Sequence, residues 1–222
     1  MKTIKEILEL STKFLEEKEI ISPRRSVEEI LGRILKMKRL DLYMHFDRPL
    51  TNEELEKCRK DLKRRSLGEP LAYIQGTVDF FNCQFLVNPH VLIPRPETEI
   101  LVEKIADSIE ENHKNKVLWD LCCGSGCIGI SLKKKFPAMK VILSDLSSKA
   151  LAIAKENAKK NEVDVEFRQG DLLAPFLAEK ADYITCNPPY IPQKEFNELD
   201  KEVKNFEPQL ALLGGEKGGE FY

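Results

Sequence analysis

The sequence predicts an α/β chain in which a parallel sheet follows a small helical bundle. In the second half, helical stretches separate the first three of four short apolar segments: 116–121, 140–145, 164–169 and 181–186. Strands that alternate with helices form parallel sheets covered by helices on both faces. The first 70 residues instead carry apolar side chains at helical spacing, and an aromatic segment joins the two parts.

The helical bundle is predicted from three apolar stripes, in residues 3–19, 25–38 and 52–66. Two serine or threonine residues are expected to begin helices because a glutamate follows each at the third position. Ser26 with Glu29, and Thr51 with Glu54, both match this capping-box pattern. We therefore assign residues 1–70 to an N-terminal helical domain.

The connecting region is predicted to be a hairpin followed by an extended stretch. "VDFFNCQFLV" (78–87) is β-branched and aromatic, with Asn82 near its middle. Residues 87–99 contain three prolines and should be extended, until Thr98 or Pro96 begins a helix that runs to about Asn112. This assigns residues 71–96 to a linker and 97–222 to the larger domain.

Composition excludes several classes of function. The 222 residues carry a net charge of −2, which gives no global reason to expect direct nucleic-acid binding. No stretch approaches the roughly 20 apolar residues of a membrane span, and the N-terminus lacks a signal-peptide core. The six cysteines form no C-x-x-C pair and have no histidine at metal spacing, so reduced thiols without a metal are expected. We expect a cytoplasmic enzyme without metal or membrane partners.

A glycine loop follows the first strand of the predicted sheet, in "LWDLCCGSGCIG" (118–129). Gly124 and Gly126 allow a tight turn and a close approach to a ligand. The spacing through Gly129 fits a nucleotide fingerprint that serves NAD, FAD or S-adenosylmethionine. Asp120 favours the last of these, since a carboxylate suits a cationic amino group and sulfonium but repels a pyrophosphate. Alternatively, Asp120 merely caps the loop.

Further acids follow the next two strands. Asp145 ends the second strand, where it can accept both hydroxyls of a ribose, and Asp171 follows the third, near an adenine amine. Ligands of such sheets bind beyond the carboxyl ends of the strands. We therefore expect the glycine loop and these acids to face one cavity.

The fourth strand ends in Asn-Pro-Pro-Tyr, residues 187–190. A planar amine is a poor nucleophile, and its two N–H groups need acceptors that leave the nitrogen facing a methyl donor. Asn187 Oδ1 and the Pro188 carbonyl can supply them, and Tyr190 offers a flat face. The prolines stiffen the backbone, and His45, His90 and His113 lie outside these motifs. A purely structural double-proline turn is the alternative.

With these motifs the sequence resembles class I S-adenosylmethionine methyltransferases that act on amino nitrogens. More narrowly, it resembles the protein release-factor glutamine methyltransferases. The further matching segments, in order, are "GEPLAYIQG" (68–76), "LIPRPETE" (92–99), "DLCCGSG" (120–126) and "FEPQLALLGGEKGGEFY" (206–222). The resemblance covers essentially the whole chain, including the helical N-terminal domain.

The resemblance implies methyl transfer from S-adenosylmethionine to the N5 amide of the Gly-Gly-Gln glutamine in class I peptide chain release factors. The N-terminal helices would dock the release factor. Donor residues would be Asp120, Cys122, Cys123, Gly124, Ser125, Gly126, Asp145, Asp171, Leu172 and Asn187. Acceptor residues would be Asn187, Pro188, Pro189, Tyr190, Arg95 and Glu97, of which Asn187, Pro188 and Tyr190 are catalytic.

The chain departs from the family pattern in its loop. Cys122 and Cys123 replace the usual Gly-Thr, so Cys122 must either keep a negative φ or accept strain. Leu172 stands where an aromatic can flank adenine. The family's sheet has seven strands and only four are predicted here, so we expect a C-terminally truncated chain.

Three other functions stay open at this point. A ribosomal-protein glutamine methyltransferase or a DNA adenine-N6 methyltransferase could use the same Asn-Pro-Pro-Tyr residues. The DNA enzyme would need a recognition domain and a basic groove, which a net charge of −2 does not suggest. A nicotinamide oxidoreductase could use the loop from Gly124 to Gly129, but it leaves Asn-Pro-Pro-Tyr unexplained.

Overall fold

The computed structural model describes residues 2–109 and 113–221. The chain divides into two compact units, Met1–Gln75 and Gly76–Tyr222. The first unit is helical, and the second contains a hairpin and a parallel sheet.

The described part of the first unit forms five helices around its own apolar core. Leu8 on the first helix and Leu31 on the second are each 1% exposed, and the side chains of Leu42 and Leu50 are fully buried beside them. The three predicted helices are confirmed. Two further helices, of six and five residues, were not predicted, because so few residues cannot show a helical period. The helices are α1 (Ile4–Glu16), α2 (Pro23–Leu35), α3 (Arg39–Met44), α4 (Asn52–Ser66) and α5 (Leu71–Gln75).

One of the two predicted helix caps is confirmed. Thr51 Oγ1 accepts a hydrogen bond from Glu54 N at 3.2 Å, and Glu54 Oε2 accepts one from Thr51 N at 2.8 Å. The prediction for Ser26 was wrong, because α2 begins three residues earlier with Pro23 at its first position. Ser26 is instead buried inside the unit, where its Oγ accepts from Arg65 Nε at 3.2 Å.

The second unit opens with the predicted hairpin, formed by β1 (Thr77–Phe80) and β2 (Cys83–Leu86). Phe81 and Asn82 connect the strands with φ of +45° and +58°. Two consecutive positive φ angles define the turn type that matches the twist of a two-residue hairpin. Residues 87–95 then contain neither helix nor strand.

Helix α6 spans Pro96–Ser108. Its start at Pro96 agrees with the prediction, since the ring fixes a helical φ at a position whose N–H needs no partner. The predicted end near Asn112 lies outside the described residues.

The predicted parallel sheet is confirmed. Its strands are β3 (Val117–Leu121), β4 (Lys140–Asp145), β5 (Glu166–Gln169) and β6 (Tyr183–Cys186), in the spatial order β5-β4-β3-β6. The helices of this part are α7 (Cys127–Lys135), α8 (Ser148–Lys160), α9 (Gln193–Phe196) and α10 (Lys201–Phe206). Val102 of α6, Ile130 of α7 and Ala154 of α8 pack in one core with the sheet residues Leu118 and Leu143. Trp119 and Ile142 belong to a second cluster, in which Trp119 stacks on Phe176 at 4.2 Å between ring centroids.

Candidate active site

The carboxyl ends of the four parallel strands border one cavity in the second unit. Parallel strands end at the same edge of the sheet, so the loops that follow them meet there. The cavity is lined by residues of the glycine loop, by the strand-end acids, by part of Asn-Pro-Pro-Tyr and by two segments from either side of the sheet. Most of the residues predicted to bind the donor line it, namely Cys122, Cys123, Gly124, Ser125, Asp145, Asp171, Leu172 and Asn187.

The glycine loop has left-handed backbone at three of its positions. Cys122 has φ of +52°, so the expected strain is present at the residue that replaces the family's glycine. Gly124 has φ of +54°, and no atom lies within 4 Å of the position a Cβ would take. A side chain there would project into open space beside the cavity. Gly126 has another role: a Cβ would lie 2.7 Å from Ile130 Cδ1 and 2.9 Å from Leu143 Cδ2, so glycine lets α7 approach β4 closely.

Asp145 holds the glycine loop in place while it faces the cavity. Its Oδ2 accepts from Gly124 N at 2.8 Å, and its Oδ1 accepts from Ser147 N at 2.9 Å. Each carboxylate oxygen has a further lone pair, which leaves one acceptor site on each for a ligand hydroxyl. Burial raises the pKa of the Asp145 carboxyl, and the backbone hydrogen bonds oppose this rise.

Asp120 does not take the position that was predicted for it. Its side chain is fully buried and is not among the described residues that line the cavity. Its Oδ2 accepts from Gly129 N at 2.9 Å, and its Oδ1 forms a 2.8 Å hydrogen bond with Thr185 Oγ1. Burial raises its pKa to about 7. The carboxyl therefore joins α7 and β6 to the first strand of the sheet, which agrees with the capping alternative.

The turn after β5 brings Asp171 and Leu172 to the cavity, as predicted. Leu172 has φ of +42°, and the carbonyl of Asp171 accepts from Ala174 N at 2.9 Å. Prediction missed Leu146, which follows the acid of β4, lines the same cavity and is 51% exposed. Its position next to a strand-end acid was the signal that could have identified it.

Asn-Pro-Pro-Tyr is divided between the cavity and its surroundings. Asn187 and Pro189 line the cavity, whereas Pro188 is buried outside its lining and Tyr190 is 57% exposed. Among the described residues, none forms a hydrogen bond with the side-chain amide of Asn187. That amide therefore has its full capacity for a ligand, within the cavity that also contains Asp145.

Two cysteines meet between the glycine loop and Asn187. Leu121 and Cys186 are paired across β3 and β6, so Cys122 and Cys186 lie at neighbouring strand ends. The Cys122 thiol donates a hydrogen bond to Cys186, which raises the pKa of Cys122 and lowers that of Cys186. Neither cysteine forms a disulfide.

The other two predicted acceptor residues, Arg95 and Glu97, differ in position. Arg95 lines the cavity and forms an ion pair with Glu207. Glu97 is exposed at the start of α6 and is not among the described residues that line the cavity.

The described residues contain no group of three or more histidine, cysteine, aspartate or glutamate side chains that could hold a metal ion. The same residues include no helix with the length and apolar character needed to cross a membrane.

Two family models match the chain. The methyltransferase small domain matches residues 96–205, which contain the sheet and the cavity loops. The PrmC N-terminal domain matches residues 6–76, close to the extent of the first compact unit.

Two relatives of known name agree with these matches. Release factor glutamine methyltransferase of Chlamydia trachomatis serovar L2 is 42% identical over 99% of this chain and 74% of its own length. The protein of the same name from Geobacter sulfurreducens is 38% identical over 99% of this chain and 76% of its own length. Among solved structures, a Pyrococcus abyssi tRNA (uracil-54, C5)-methyltransferase with S-adenosyl-L-homocysteine has a TM-score of 0.44 and 22% identity, covering 58% of this chain and 32% of its own. The chain belongs to the release factor glutamine methyltransferase family and is an S-adenosylmethionine-dependent methyltransferase.

Proposed function

We propose that this protein methylates the N5 amide of the glutamine in the Gly-Gly-Gln motif of class I peptide chain release factors. The names of its relatives support a release factor as substrate and a glutamine as the target. One observation carries the proposal at the level of atoms: the unpaired amide of Asn187 lines the same cavity as Asp145 and the glycine loop. A donor and an acceptor amide can therefore meet there.

The donor side of the cavity fits S-adenosylmethionine. The open space beside Gly124 admits a ligand against the backbone of the loop, and Asp145 keeps one acceptor site on each oxygen for the ribose hydroxyls. Asp171 and Leu172 border the region assigned to adenine, where Leu172 would pack against the ring. S-adenosylmethionine, when bound, supplies a methyl group already activated on a sulfonium.

On the acceptor side, we assign the glutamine amide to Asn187 and Pro188. The Asn187 Oδ1 would accept one N–H of the amide. The carbonyl of Pro188, a residue next to the cavity lining rather than in it, would accept the other when the substrate is bound, which leaves the nitrogen facing the methyl group. These hydrogen bonds would strengthen as the nitrogen–methyl bond forms, the sulfur–methyl bond of the donor breaks to leave a neutral thioether, and positive charge develops on the nitrogen. The nitrogen would then lose one proton to solvent water. Rigid prolines keep the acceptors in place, so placement supplies most of the rate enhancement.

We assign the remaining parts of the chain to recognition of the release factor. Tyr190 is exposed beside the cavity, where its ring can contact the backbone around the target glutamine. The helices of the first unit would dock a more distant surface of the release factor. The match of residues 6–76 to the PrmC N-terminal domain supports this assignment.

The proposal is tested by mapping the methylated atom. The purified chain is incubated with S-adenosylmethionine labelled in its methyl group and with a class I release factor, which is then digested and sequenced by mass spectrometry. We expect one methyl group on the side-chain nitrogen of the Gly-Gly-Gln glutamine. A release factor in which this glutamine is replaced by asparagine is the control, because the shorter side chain cannot reach the same position.

Two results would refute the proposal. Label on another residue of the release factor would contradict the assigned acceptor. Label on a ribosomal-protein glutamine or on DNA adenine, with none on the release factor, would establish one of the alternatives that Asn-Pro-Pro-Tyr allows.

A further inference from the structure

A segment near the C-terminal end, residues 207–218, contacts both walls of the acceptor side of the cavity. Within this segment, Pro208, Leu210 and Ala211 themselves line the cavity. One wall is the stretch before α6, which includes Arg95, and the other contains Asn187 and Pro189. The chemistry proposed above assigns no task to residues 207–218, although they lie close to its acceptor groups.

The first contact is made by a buried carboxylate. The side chain of Glu207 is 1% exposed, and its Oε2 accepts from Ile93 N at 3.2 Å. Its Oε1 accepts from the guanidinium of Arg95. A buried carboxylate with two such partners holds them firmly, since separating them would leave charges without compensation. Glu207 therefore connects the segment to the wall that contains Arg95.

The second contact is made with Ile191 and Gln193, which come directly after Asn-Pro-Pro-Tyr in the chain. Ile191 N donates to Leu212 O and Gly214 N donates to Ile191 O, both at 2.9 Å, which forms a parallel bridge between Ile191 and Leu213. Gln193 N also donates to Gly215 O at 3.0 Å. Three backbone hydrogen bonds thus connect the segment to the chain that leaves Tyr190.

Two glycines in the segment permit this close contact. A Cβ on Gly214 would lie 2.7 Å from both the Pro189 carbonyl oxygen and Tyr190 Cα. A Cβ on Gly218 would lie 2.4 Å from the Tyr190 carbonyl oxygen, and its φ of +79° is itself costly for other residues. The neighbours of Gly214 are backbone atoms that cannot rotate away, so any side chain at this position would displace Pro189 and Tyr190.

We propose that residues 207–218 are a positioning element for the methyl acceptor, in which Gly214 and Glu207 set the places of Asn-Pro-Pro-Tyr and Arg95. The inference rests on the proposed function, because it assigns the acceptor to Asn187 and Pro188. Neither Gly214 nor Glu207 contacts the reacting atoms in this account. They act through the backbone of Pro189 and through the guanidinium of Arg95.

Gly214→Ala and Gly219→Ala provide a matched test within one loop. Neither glycine has a left-handed φ, and no atom lies within 4 Å of a Cβ on Gly219. We expect Gly214→Ala to lower kcat roughly ten- to a hundredfold, because small misplacements of reacting groups have effects of this order. The dissociation constant of S-adenosylmethionine should stay near that of Gly219→Ala, whereas the melting temperature should fall, because the added Cβ overpacks this contact. Equal kcat values for the two variants would overturn the proposal.

Glu207→Gln tests the other contact and does not depend on the folding of Gly214→Ala. The amide keeps the size of the side chain but loses the charge that faces Arg95. We expect a lower kcat with unchanged binding of S-adenosylmethionine, and recovery towards wild-type kcat in Glu207→Asp. A variant with wild-type kcat would remove Glu207 from the positioning element.

Hydrogen exchange gives a readout that does not require the proposed substrate. The amides of Ile191 and Gly214 should exchange slowly in the wild-type chain and in Gly219→Ala, and faster in Gly214→Ala. Rapid exchange of both amides in the wild-type chain would overturn the proposal. Failure of the wild-type chain to label a release factor, with both amides protected, would count against the proposed function and leave the positioning contacts supported.

Discussion

The buried side chain of Asp120, on a central strand of the sheet, stabilises the fold through hydrogen bonds to Gly129 and Thr185. Its pKa is about 7, so at a lower pH the carboxyl carries a proton. With that proton on Oδ1 it can donate to Thr185 Oγ1, whose hydroxyl then points to Trp119 O at 3.4 Å, while Oδ2 accepts from Gly129 N. All of these groups are satisfied in the neutral form, whereas ionisation leaves a charge without a cation in a buried site.

We predict that Asp120→Asn removes part of the pH dependence of stability. The pKa in the folded chain, about 7, lies above the ordinary value of 3.8, so the contribution of Asp120 is fully present below pH 3.8 and is lost as pH rises to 7. A difference of about three pKa units corresponds to roughly 4 kcal/mol. Asparagine resembles the neutral carboxyl, with Oδ1 accepting from Gly129 N and Nδ2 donating to Thr185 Oγ1.

The measurement is urea unfolding of both proteins at several pH values from 4 to 8. Other carboxyl groups titrate in both proteins, so the relevant quantity is the difference between their free energies of unfolding. This difference should move in favour of Asp120→Asn as the pH rises. A constant difference would show that Asp120 is ionised throughout the range.

Two asparagines, Asn157 in α8 and Asn161 directly after it, bind the hairpin, and Asn157 also binds the glycine loop. Asn157 Oδ1 accepts from Leu86 N at 2.6 Å, and its Nδ2 donates to Leu86 O at 3.0 Å and to Ser125 O at 2.9 Å. Asn161 makes the corresponding pair of bonds with Gln84, at 3.2 and 2.9 Å. The side chains therefore pair with alternate residues of β2 as a neighbouring strand would, but Asn157 alone of the two also reaches the loop.

We predict different effects of Asn157→Ala and Asn161→Ala. Each change removes a buried amide and leaves partly buried backbone groups of β2 without their side-chain partners, so each should lower the free energy of unfolding by roughly 2–4 kcal/mol. Because Ser125 belongs to the loop that borders the cavity, Asn157→Ala should also weaken binding of S-adenosylmethionine, roughly tenfold, or about 1.4 kcal/mol. Calorimetric titration of both variants measures this. Equal affinities would show that Asn157 supports only the hairpin.

At the scale of the whole molecule, structure that depends on a repeated sequence pattern could be predicted. Contacts between residues far apart in the sequence could not. Alternating strands and helices predicted the parallel sheet, and the acids at the strand ends predicted the cavity. Glu207 could not be predicted, because its partners Ile93 and Arg95 lie more than 100 residues earlier. The burial of Asp120 was not predicted, although the alternation of side chains along its strand indicated it. Asp120 points to the same face of the sheet as Leu118, which packs in the core with α7, and Trp119 points to the opposite face.

The cavity of the second unit has a donor side and an acceptor side, and we expect that mutation can separate their contributions. Asn187 belongs to the acceptor side, and no described residue forms a hydrogen bond with its side-chain amide. Asp145 and the glycine loop bind the donor in this account and do not depend on that amide. Loss of the Asn187 side chain should therefore impair turnover far more than it impairs donor binding.

The most direct test compares Asn187→Ala with Asn197→Ala, whose side chain is exposed outside the cavity lining. Release-factor methylation gives kcat, and calorimetry gives the dissociation constant of S-adenosylmethionine. We predict that Asn187→Ala lowers kcat on the order of 10²–10³-fold, as is typical when one transition-state hydrogen bond is removed, with donor affinity close to that of Asn197→Ala. A kcat within about threefold of wild type, or a loss of donor binding that matches the loss of turnover, would contradict the account.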